Sequence, residues 1–362
     1  MHVANALTTK LNQGIWRFYR NALGAFLFQP AQWGRVFRLI GIQHRAAKRR
    51  REAERSNSHI PPYLIISVTR QCNLRCKGCY ARAQHGDKAR DELTAEEWGR
   101  ILTEARDTGV GTVIVAGGEP LVKEGLLDLF AGFPDMVFAV FTNGLLLSDE
   151  VTERIKAMPH VVPVISLEGH GDATDDRRGP GVYRAVVGSM ERLRTKGVLY
   201  GVSHTVTTAN LDAVTSRGYV RELKWRGCRL VFYIEYVPFE AGTESLELSQ
   251  AGRETLLKRT ETAGRREQVL AVGFPGDEES FGGCLAAGRG FLHIGADGSV
   301  EPCPFSPFSN LNLRDASFQE ALGSKFLAAV RDNHDMLDET SGGCALFRNR
   351  DKVEVLLRET GE

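Results

Sequence analysis

The chain has 362 residues, of which 42% are hydrophobic and 25% charged, and its formal net charge at neutral pH is +1. This length suits one barrel-sized domain with an appendage, and the composition is typical of a globular protein. No run of eighteen apolar residues occurs and the amino terminus lacks a signal-peptide pattern, so we expect no membrane-spanning helix. We therefore expect a cytoplasmic protein whose seven cysteines are reduced.

The amino-terminal arm is strongly basic. Residues 1–60 contain eleven Lys or Arg and two acidic residues, a net charge of +9, so the remaining chain carries −8. Aromatic residues such as Trp16, Phe18 and Trp33 lie among the basic ones, and such a segment can contact a membrane interface or an acidic partner. A helical arm packed on the rest of the protein is the alternative. No nucleic-acid-binding module accompanies the charge, so we expect no nucleic-acid partner.

After the arm, apolar runs alternate with amphipathic stretches, which is typical of parallel strands joined by crossover helices. Two of the helical patterns are Thr94–Asp107, where Thr94 and Glu97 form a capping box, and Val182–Lys196. The predicted strands are Tyr63–Val68, Thr112–Ala116, Val137–Phe141, Val161–Leu167, Leu199–Val206 and Leu230–Val237.

Three cysteines follow the first predicted strand with the spacing C-x3-C-x2-C. They are Cys72, Cys76 and Cys79, and three thiolates within eight residues can converge only on one ion or cluster. Zinc normally takes four ligands and favours paired C-x2-C knuckles, whereas an iron–sulfur cluster accepts a tripod of thiolates. The sequence therefore favours an iron–sulfur cluster with one open iron, and a zinc or disulfide site is the alternative.

The cysteine tripod and Gly117-Gly118-Glu119-Pro120, which follows the second predicted strand, together resemble the radical S-adenosylmethionine (radical SAM) superfamily. The resemblance implies a partial (β/α)6 TIM-like barrel and a 4Fe–4S cluster whose open iron binds SAM. It further implies that one electron, supplied by a flavodoxin or ferredoxin, cleaves SAM to a 5′-deoxyadenosyl radical that abstracts hydrogen from a substrate. An oxygen-sensitive enzyme is expected.

The same resemblance assigns the cofactor-binding residues. Gly117, Gly118, Glu119 and Pro120 would hold the SAM amino group, with Gly allowing close backbone approach and Glu119 matching the ammonium charge. Further polar candidates follow the tripod or end the third and fourth strands, where a loop-capping role is the alternative. They are Tyr80, Asn143 and Ser166.

Glu168 and Glu235 are the candidate catalytic residues. Each lies near the carboxyl end of a predicted strand, where functional groups of such barrels gather. A carboxylate at the mouth of a barrel is costly unless it is paired or used, so one of the two could bind SAM or accept a substrate proton. The segment 174–181 resembles the D-x-x-R-G-x-G loop of peptide-modifying relatives, and a turn stabilised by an Asp–Arg pair is the alternative.

A second set of cysteines lies near the carboxyl terminus. The order Cys284, Gly298, Cys303 and, after a gap, Cys344 resembles the start of SPASM and twitch auxiliary-cluster domains. A predicted hairpin, with strands 291–294 and 299–301, would bring Cys284 and Cys303 together. Reduced structural cysteines in a small β domain are the alternative.

The further cysteines of the full SPASM pattern are absent, so the resemblance implies a single auxiliary cluster. Only three cysteines are available for it. Either a fourth ligand comes from His293, Asp297 or Cys228, or the auxiliary cluster also has an open iron. Cys228 is predicted to be a buried small hydrophobic residue.

These observations predict a radical SAM enzyme that abstracts hydrogen from a peptide or small-molecule substrate. A non-catalytic iron–sulfur electron-transfer or binding protein, or a radical SAM enzyme acting on a membrane-presented lipid, remain as alternatives. The fold is predicted to be α/β, with an N-terminal helical arm, a partial barrel and a small C-terminal α+β auxiliary-cluster domain. The predicted segments are the arm (1–58), the barrel (59–245), a linking helix and loop (246–280), the auxiliary-cluster domain (281–349) and a tail (350–362).

Overall fold

A computed structural model of the chain describes residues 7–16, 20, 30–55, 59–85, 91–274, 281–338 and 343–361. The expectations for Phe18 and its neighbours in the arm lie outside these ranges. Within them, no helix is both long enough and apolar enough to cross a bilayer.

Nine strands form one sheet in the order β7-β6-β5-β4-β3-β2-β1-β8-β9. All neighbours are parallel except β8 and β9, which form an antiparallel hairpin. The strands are β1 (Tyr63–Ser67), β2 (Thr112–Ala116), β3 (Val137–Thr142), β4 (Val161–Ser166), β5 (Gly201–Val206), β6 (Leu230–Glu235), β7 (Leu270–Phe274), β8 (Phe291–Ile294) and β9 (Val300–Glu301).

The six predicted strands and the predicted hairpin are confirmed, with small shifts at their ends. Two features differ from the expectation. The segment predicted as a linking helix and loop also contains β7, which adds a seventh parallel strand beside β6. The hairpin is not a separate sheet, because β8 pairs in parallel with β1 and so extends the barrel sheet.

The sheet is curled, and its concave face can be identified from two aromatic rings. The ring centroids of Phe141 on β3 and Phe232 on β6 are 5.3 Å apart, although β4 and β5 lie between these strands. Because side chains alternate between the two faces of a strand, the register of the sheet gives the other concave positions. Toward the carboxyl ends of the strands they include Ser67, Ala116, Ser166, Thr205 and, on β8, His293.

Helices cover the convex face. The capping box predicted at Thr94 and Glu97 is present, and Gly109 ends that helix with a φ of 110°. The helices are α1 (residues 7–16), α2 (Pro30–Glu54), α3 (Tyr80–His85), α4 (Ala95–Thr108), α5 (Leu126–Ala131), α6 (Asp149–Ala157), α7 (Gly171–Arg178), α8 (Val182–Thr195), α9 (Leu211–Val214), α10 (Arg217–Trp225), α11 (Gln250–Thr262), α12 (Phe318–Leu322), α13 (Lys325–Asp332), α14 (His334–Leu337), α15 (Ala345–Arg348) and α16 (Arg350–Thr360).

Helix α2 of the basic arm packs across the amino ends of the strands. A separate apolar cluster joins Val36, Leu39 and Ile42 of α2 to the starts of β3, β4 and β7. The Gln43 side-chain amide also donates a hydrogen bond to the Gly111 carbonyl, just before β2, at 2.9 Å. A helical arm packed on the rest of the protein was one of the two expectations, beside a segment that contacts a membrane or an acidic partner. Helix α2 closes the end of the barrel opposite the carboxyl ends of the strands.

Candidate iron–sulfur and SAM site

The cysteine tripod lies in the loop between β1 and α3, and its three thiols are partly buried. The backbone N–H of Leu74 donates a hydrogen bond to the Cys72 sulfur at 3.4 Å. Burial raises the pKa of Cys72 to about 11. Gly78, between the second and third cysteines, has a φ of +62°, and a Cβ there would lie 2.5 Å from the Tyr236 hydroxyl. Only glycine therefore fits this point of the loop.

The Gly117-Gly118-Glu119 segment at the end of β2 packs against the start of the cysteine loop. The N–H of Gly118 donates to the Thr69 carbonyl at 2.7 Å, and the N–H of Glu119 donates to the Gln71 carbonyl at 2.8 Å. A Cβ on Gly118 would lie 2.0 Å from the Gln71 oxygen, and one on Gly117 would lie 2.4 Å from the Thr69 oxygen. Both positions therefore require glycine, because the backbone after β2 lies in close contact with the backbone of the cysteine loop.

The buried Glu119 carboxylate connects β2 to β3. It accepts hydrogen bonds from the Thr142 hydroxyl and the Asn143 N–H, both at 2.7 Å, and from the Leu121 N–H at 3.1 Å. Burial raises the pKa of Glu119, and these hydrogen bonds oppose that rise. The Asn143 side-chain amide donates to the Asn73 side-chain oxygen at 2.6 Å, inside the cysteine loop. Glu119 and Asn143 therefore position the tripod as well as the strand ends.

Pro120 and Ser166 complete the predicted set on the barrel. Pro120 is buried and begins a single 3-10 turn after β2. Ser166 ends β4 on the concave face, where its hydroxyl lies 3.3 Å from the Ser203 hydroxyl. The structure thus places Ser166 one strand away from Asn143, on the same end of the sheet.

Glu168 is buried and paired with two arginines of α7. Its Oε1 accepts hydrogen bonds from Arg177 at 2.6 Å and Arg178 at 2.5 Å. Burial opposes ionisation of Glu168, but the two guanidinium groups outweigh burial and lower its pKa to about 2. A carboxylate with this pKa is a poor proton acceptor at neutral pH. The structure therefore favours a positioning role over the catalytic role predicted for Glu168.

The same two arginines reach the cysteine loop. A guanidinium nitrogen of Arg178 lies 4.0 Å from the Cys76 sulfur, and the Arg177 carbonyl accepts a hydrogen bond from the Lys77 N–H at 2.9 Å. The segment that resembles the D-x-x-R-G-x-G loop thus forms a clamp between Glu168 and the tripod. An Asp–backbone turn is also present, because Asp175 accepts hydrogen bonds from two N–H groups, of Gly181 and Tyr183.

Glu235 lies on the other face of the sheet. Tyr233, two residues earlier on β6, donates a hydrogen bond to the Val214 carbonyl of α9 at 3.2 Å, so this face of β6 is convex. Glu235 accepts a hydrogen bond from Arg253 of α11 at 2.8 Å. The structure therefore does not bring Glu235 together with the concave-face residues. A shift of one position along a strand reverses the face, and strand pattern alone did not fix that position.

The C-terminal cysteines come from three separate segments and meet beside the hairpin. Cys344 and Cys284 both lie close enough to Cys303 to raise the pKa of its thiol. Burial, together with these two thiols, raises the pKa of Cys303 far above its usual range. The N–H of Phe305 donates to the Cys303 sulfur at 3.3 Å, as Leu74 does to Cys72. The three cysteines predicted for an auxiliary cluster therefore lie near one another.

Tyr80 lies between the two cysteine sets. It follows Cys79 directly, and its ring packs edge-to-face on Phe305 with a centroid distance of 4.9 Å. Burial raises the pKa of Tyr80, and the Cys79 and Cys303 thiols both add to the rise. Its hydroxyl is therefore neutral at physiological pH, and its position joins the barrel site to the C-terminal site.

The three candidates for a fourth ligand of the C-terminal set have other partners. Both ring nitrogens of His293 are hydrogen-bonded, as described below, and Asp297 pairs with Arg70 at 2.5 Å. Cys228 is fully buried beside the start of β6, where its sulfur lies 3.1 Å from the Leu230 carbonyl oxygen. Its role as a small buried residue matches the prediction.

A chain of hydrogen bonds on the concave face was not predicted from the sequence. His293 Nε2 lies 2.9 Å from the Ser67 hydroxyl, and His293 Nδ1 lies 2.7 Å from a carboxylate oxygen of Glu301. His293 and Glu301 are buried, and Ser67 borders a cavity of about 20 Å³ that Gly117 and Tyr80 also line. A cavity of this size holds about one water molecule. Ser67 and His293 are 226 positions apart in sequence, and no local motif contains both.

The central part of the chain is similar to a known protein family. A sequence profile described as the radical SAM superfamily matches residues 66–211, which include the tripod, Gly117–Pro120 and Glu168. Residues 66–211 of the chain form a radical SAM domain.

Two curated proteins and one solved structure of another protein are similar to this chain. The chain is 27% identical to an AdoMet-dependent heme synthase of Methanosarcina barkeri over 318 residues, which cover 80% of this chain and 89% of that protein. It is 24% identical to the sporulation killing factor maturation protein SkfB of Bacillus subtilis over 255 residues, covering 68% of this chain and 61% of SkfB. The fold matches Streptococcus suis SuiB bound to the precursor peptide SuiA with a TM-score of 0.63, 18% identity, and coverage of 80% and 70% of the two chains.

Within the described residues, no group of three or more His, Cys, Asp or Glu side chains is arranged to hold a metal ion. The contacts around the tripod are nevertheless those expected for thiolates that would bind an iron–sulfur cluster. An N–H donor to Cys72 and a guanidinium near Cys76 are the contacts that would stabilise such thiolates.

Proposed function

We propose that this radical SAM enzyme binds a 4Fe–4S cluster through Cys72, Cys76 and Cys79 and cleaves SAM with an electron from a flavodoxin or ferredoxin. The observation that carries the proposal is the packing of Gly117–Glu119 and the Arg177–Arg178 clamp on a single loop of three thiols. When bound, the cluster supplies the electron that converts SAM to a 5′-deoxyadenosyl radical, which abstracts hydrogen from the substrate. The residues of the chain position and enclose that chemistry.

Each polar group near the tripod has a defined task in this proposal. Glu119 is desolvated and keeps its carboxylate at the end of β2, where it can pair with the ammonium group of SAM. Asn143 links the end of β3 to the cysteine loop, and Ser166 offers a hydroxyl one strand further along. Tyr80 covers the site on the side of the C-terminal cysteines.

Ser67, His293 and Glu301 are the proposed proton acceptor, in place of Glu168 and Glu235. With Nδ1–H of His293 donated to Glu301, Nε2 can accept the Ser67 proton as Ser67 takes the proton of an O–H or N–H group of the substrate radical. The electron that this radical must also lose would pass to the proposed auxiliary cluster. Glu301 then stabilises the imidazolium that forms. The distances and the concave position of Ser67 support this role, whereas both expected carboxylates are paired with arginines.

A tetrapyrrole side chain is the proposed site of hydrogen abstraction. The support is similarity to an AdoMet-dependent heme synthase along 80% of this chain and 89% of that protein. A peptide substrate is the second candidate. Its support is similarity to SkfB, a maturation protein, of which a smaller share of the length is matched.

An auxiliary iron–sulfur cluster held by Cys284, Cys303 and Cys344 is also proposed. Its support is the meeting of three thiols from separate segments and the N–H donor to the Cys303 sulfur. Because His293, Asp297 and Cys228 have other partners, an open coordination position is the form of the cluster that these residues favour.

The function is tested by anaerobic reconstitution with iron and sulfide, followed by reduction with dithionite in the presence of SAM. We expect 5′-deoxyadenosine by mass spectrometry, and its absence would support the non-catalytic carrier instead. Addition of an iron porphyrin with propionate side chains should raise 5′-deoxyadenosine formation and change the mass of the porphyrin. If SAM is cleaved but the porphyrin is not changed, the proposed tetrapyrrole substrate is wrong, whereas the proposed cleavage of SAM is supported.

The proton acceptor is tested with His293→Gln. We expect SAM cleavage without substrate to be unchanged and product formation per 5′-deoxyadenosine to fall by about 10² to 10⁴, the usual contribution of a general base. His160→Gln is the matched comparison, since His160 is a buried histidine that contacts the Phe130 carbonyl just before β4, and this variant should keep product formation. Undiminished product formation by His293→Gln would remove the relay from the mechanism.

A further inference from the structure

Exposed aromatic side chains gather at the amino end of the barrel. Among the described residues, the exposed large hydrophobic side chains include Trp33 at 44%, Phe37 at 57% and Trp225 at 80% exposure. Trp33 and Phe37 lie one turn apart on α2, which crosses the amino ends of the strands. Trp225 is the last residue of α10, and that helix returns the chain to the start of β6.

Contacts connect these two helices at one corner of the barrel. The side chains of Gln32 and Arg35 on α2 donate hydrogen bonds to the Gly197 carbonyl at 3.0 and 3.1 Å. Gly197 follows the end of α8, and Arg194 of that helix packs against Gly227, two residues after Trp225. The aromatic side chains of α2 and α10 therefore protrude from the same end of the molecule.

The same end is cationic. Arg38, Arg45, Lys48 and Arg51 are exposed along α2, and the nearby acid Glu52 lies 3.9 Å from Lys48. The arm as a whole carries +9, and the remaining chain carries −8. We call the surface formed by Trp33, Phe37, Arg38, Arg45, Lys48 and Trp225 the amino-end face.

We propose that the amino-end face rests on a lipid bilayer that contains anionic headgroups. Tryptophan and phenylalanine insert readily at the boundary between headgroups and acyl chains, and basic residues near them gain from the negative surface potential. An acidic protein partner would explain the basic residues of this face. It would not explain the aromatic side chains that protrude separately from two helices, because protein interfaces bury such side chains in closely packed pockets.

This orientation has a consequence for substrate access. The tripod and Gly117–Pro120 lie at the carboxyl ends of the strands, opposite α2. The barrel mouth then faces away from the bilayer, so the substrate enters from the aqueous phase. The inference therefore argues against the lipid substrate that the sequence analysis left open.

The inference is tested by cosedimentation of the reconstituted full chain with vesicles. We expect binding to mixed phosphatidylglycerol–phosphatidylcholine vesicles, weaker binding to pure phosphatidylcholine, and a decrease with added salt. The double variant Arg45→Gln/Lys48→Gln should lower the partition coefficient by about fivefold for each charge removed. Trp225→Ser should lower it by about tenfold, because a large apolar side chain is no longer buried in the interface.

The matched controls lie on the C-terminal part of the chain. Val355→Ser removes an exposed apolar side chain and Lys325→Gln removes an exposed charge, both away from the amino-end face, and neither should change binding. Brominated lipid should quench tryptophan fluorescence in the original chain and less in Trp225→Phe. No vesicle binding, equal binding to neutral vesicles, or equal losses in the controls would overturn the inference. Since SAM cleavage is measured without vesicles, the proposed function is judged separately.

Discussion

The two sets of cysteines are held in place in different ways. Cys72, Cys76 and Cys79 share one loop of eight residues and are partly exposed. Cys284, Cys303 and Cys344 come from three segments, and the first two are fully buried. Sequence spacing alone therefore holds the first set near one point, whereas the second set forms only when the hairpin and the C-terminal helices pack on the barrel.

In each set, one cysteine sulfur accepts a hydrogen bond from the backbone. The N–H two residues after Cys72 and after Cys303 donates to the sulfur of that cysteine. The other contacts of the two sets differ. The tripod loop has polar contacts with β2, β3 and α7. In the C-terminal set, the N–H of Cys284 donates to the Leu337 carbonyl at 2.9 Å, at the end of α14. The cysteine loop of the tripod therefore depends on the polar network of the barrel, and the C-terminal site depends on the packing of separate segments.

The largest effect is expected from Cys76→Ala. The variant should lose the iron of the first cluster and all formation of 5′-deoxyadenosine, since two thiols cannot replace the tripod. Iron analysis and mass spectrometry measure both quantities. Cys228→Ala is the control, because Cys228 is a buried thiol outside both sets, and it should keep iron and activity. Activity in Cys76→Ala would break the assignment of the tripod.

Glu168→Gln tests the clamp on the tripod. Removing a buried partner of Arg177 and Arg178 should lower the free energy of unfolding by about 3 to 5 kcal/mol. Asp212→Asn, which removes an exposed partner of Arg259, should cost less than about 1 kcal/mol. Urea denaturation of both variants measures the difference, and equal costs would show that the clamp adds no stability.

The Glu168 clamp also predicts a pH dependence. Its pKa in the folded protein is about 2, below the ordinary value of 4.5. Because the folded pKa is lowered, the stabilisation is complete above pH 4.5 and is lost as the pH falls toward about 2. The stability difference between the original chain and Glu168→Gln should stay constant from pH 7 to 5.5 and shrink below pH 4.5. A constant difference down to pH 3 would contradict the lowered pKa.

Gly118→Ala tests the contact between β2 and the cysteine loop. A Cβ would lie 2.0 Å from the Gln71 oxygen, so the backbone must move, and we expect a loss of about 2 to 3 kcal/mol with weaker cluster binding. Gly218→Ala is the matched control, because no atom lies within 4 Å of its added Cβ. In α10 it should leave stability unchanged or raise it by about 0.5 to 1 kcal/mol. Equal stability of the two variants would mean that the cysteine loop can move to accommodate the added Cβ.

The smallest effect on SAM chemistry is expected from Cys303→Ala. The variant should lose the iron of the proposed auxiliary cluster and keep 5′-deoxyadenosine formation, because the tripod has its own supports. Iron and sulfide counts with and without the substitution measure this. Unchanged iron would leave Cys284, Cys303 and Cys344 as reduced structural cysteines, and loss of SAM cleavage would show that the two sites are coupled through Tyr80 and Phe305.

Much of the barrel could be predicted because its signals are local. The capping box at Thr94, the six apolar runs and the hairpin around Gly298 each lie within a few residues of sequence, and all are present. β7 was missed because its five residues carry too weak a pattern. The predicted catalytic glutamates were chosen from position alone, and their arginine partners, on α7 and α11, became visible only in the fold.

Local patterns in the sequence indicated the family, the cysteine tripod and strands β1–β6, since spacing along a short segment limits where side chains can go. The fold was needed to show that Glu235 faces the helices, that α2 closes the barrel, and that Ser67 meets His293 and Glu301. These depend on which strands pair and in what register, and β8 pairs with β1 across more than 220 residues of chain. No local pattern of residues carries that information.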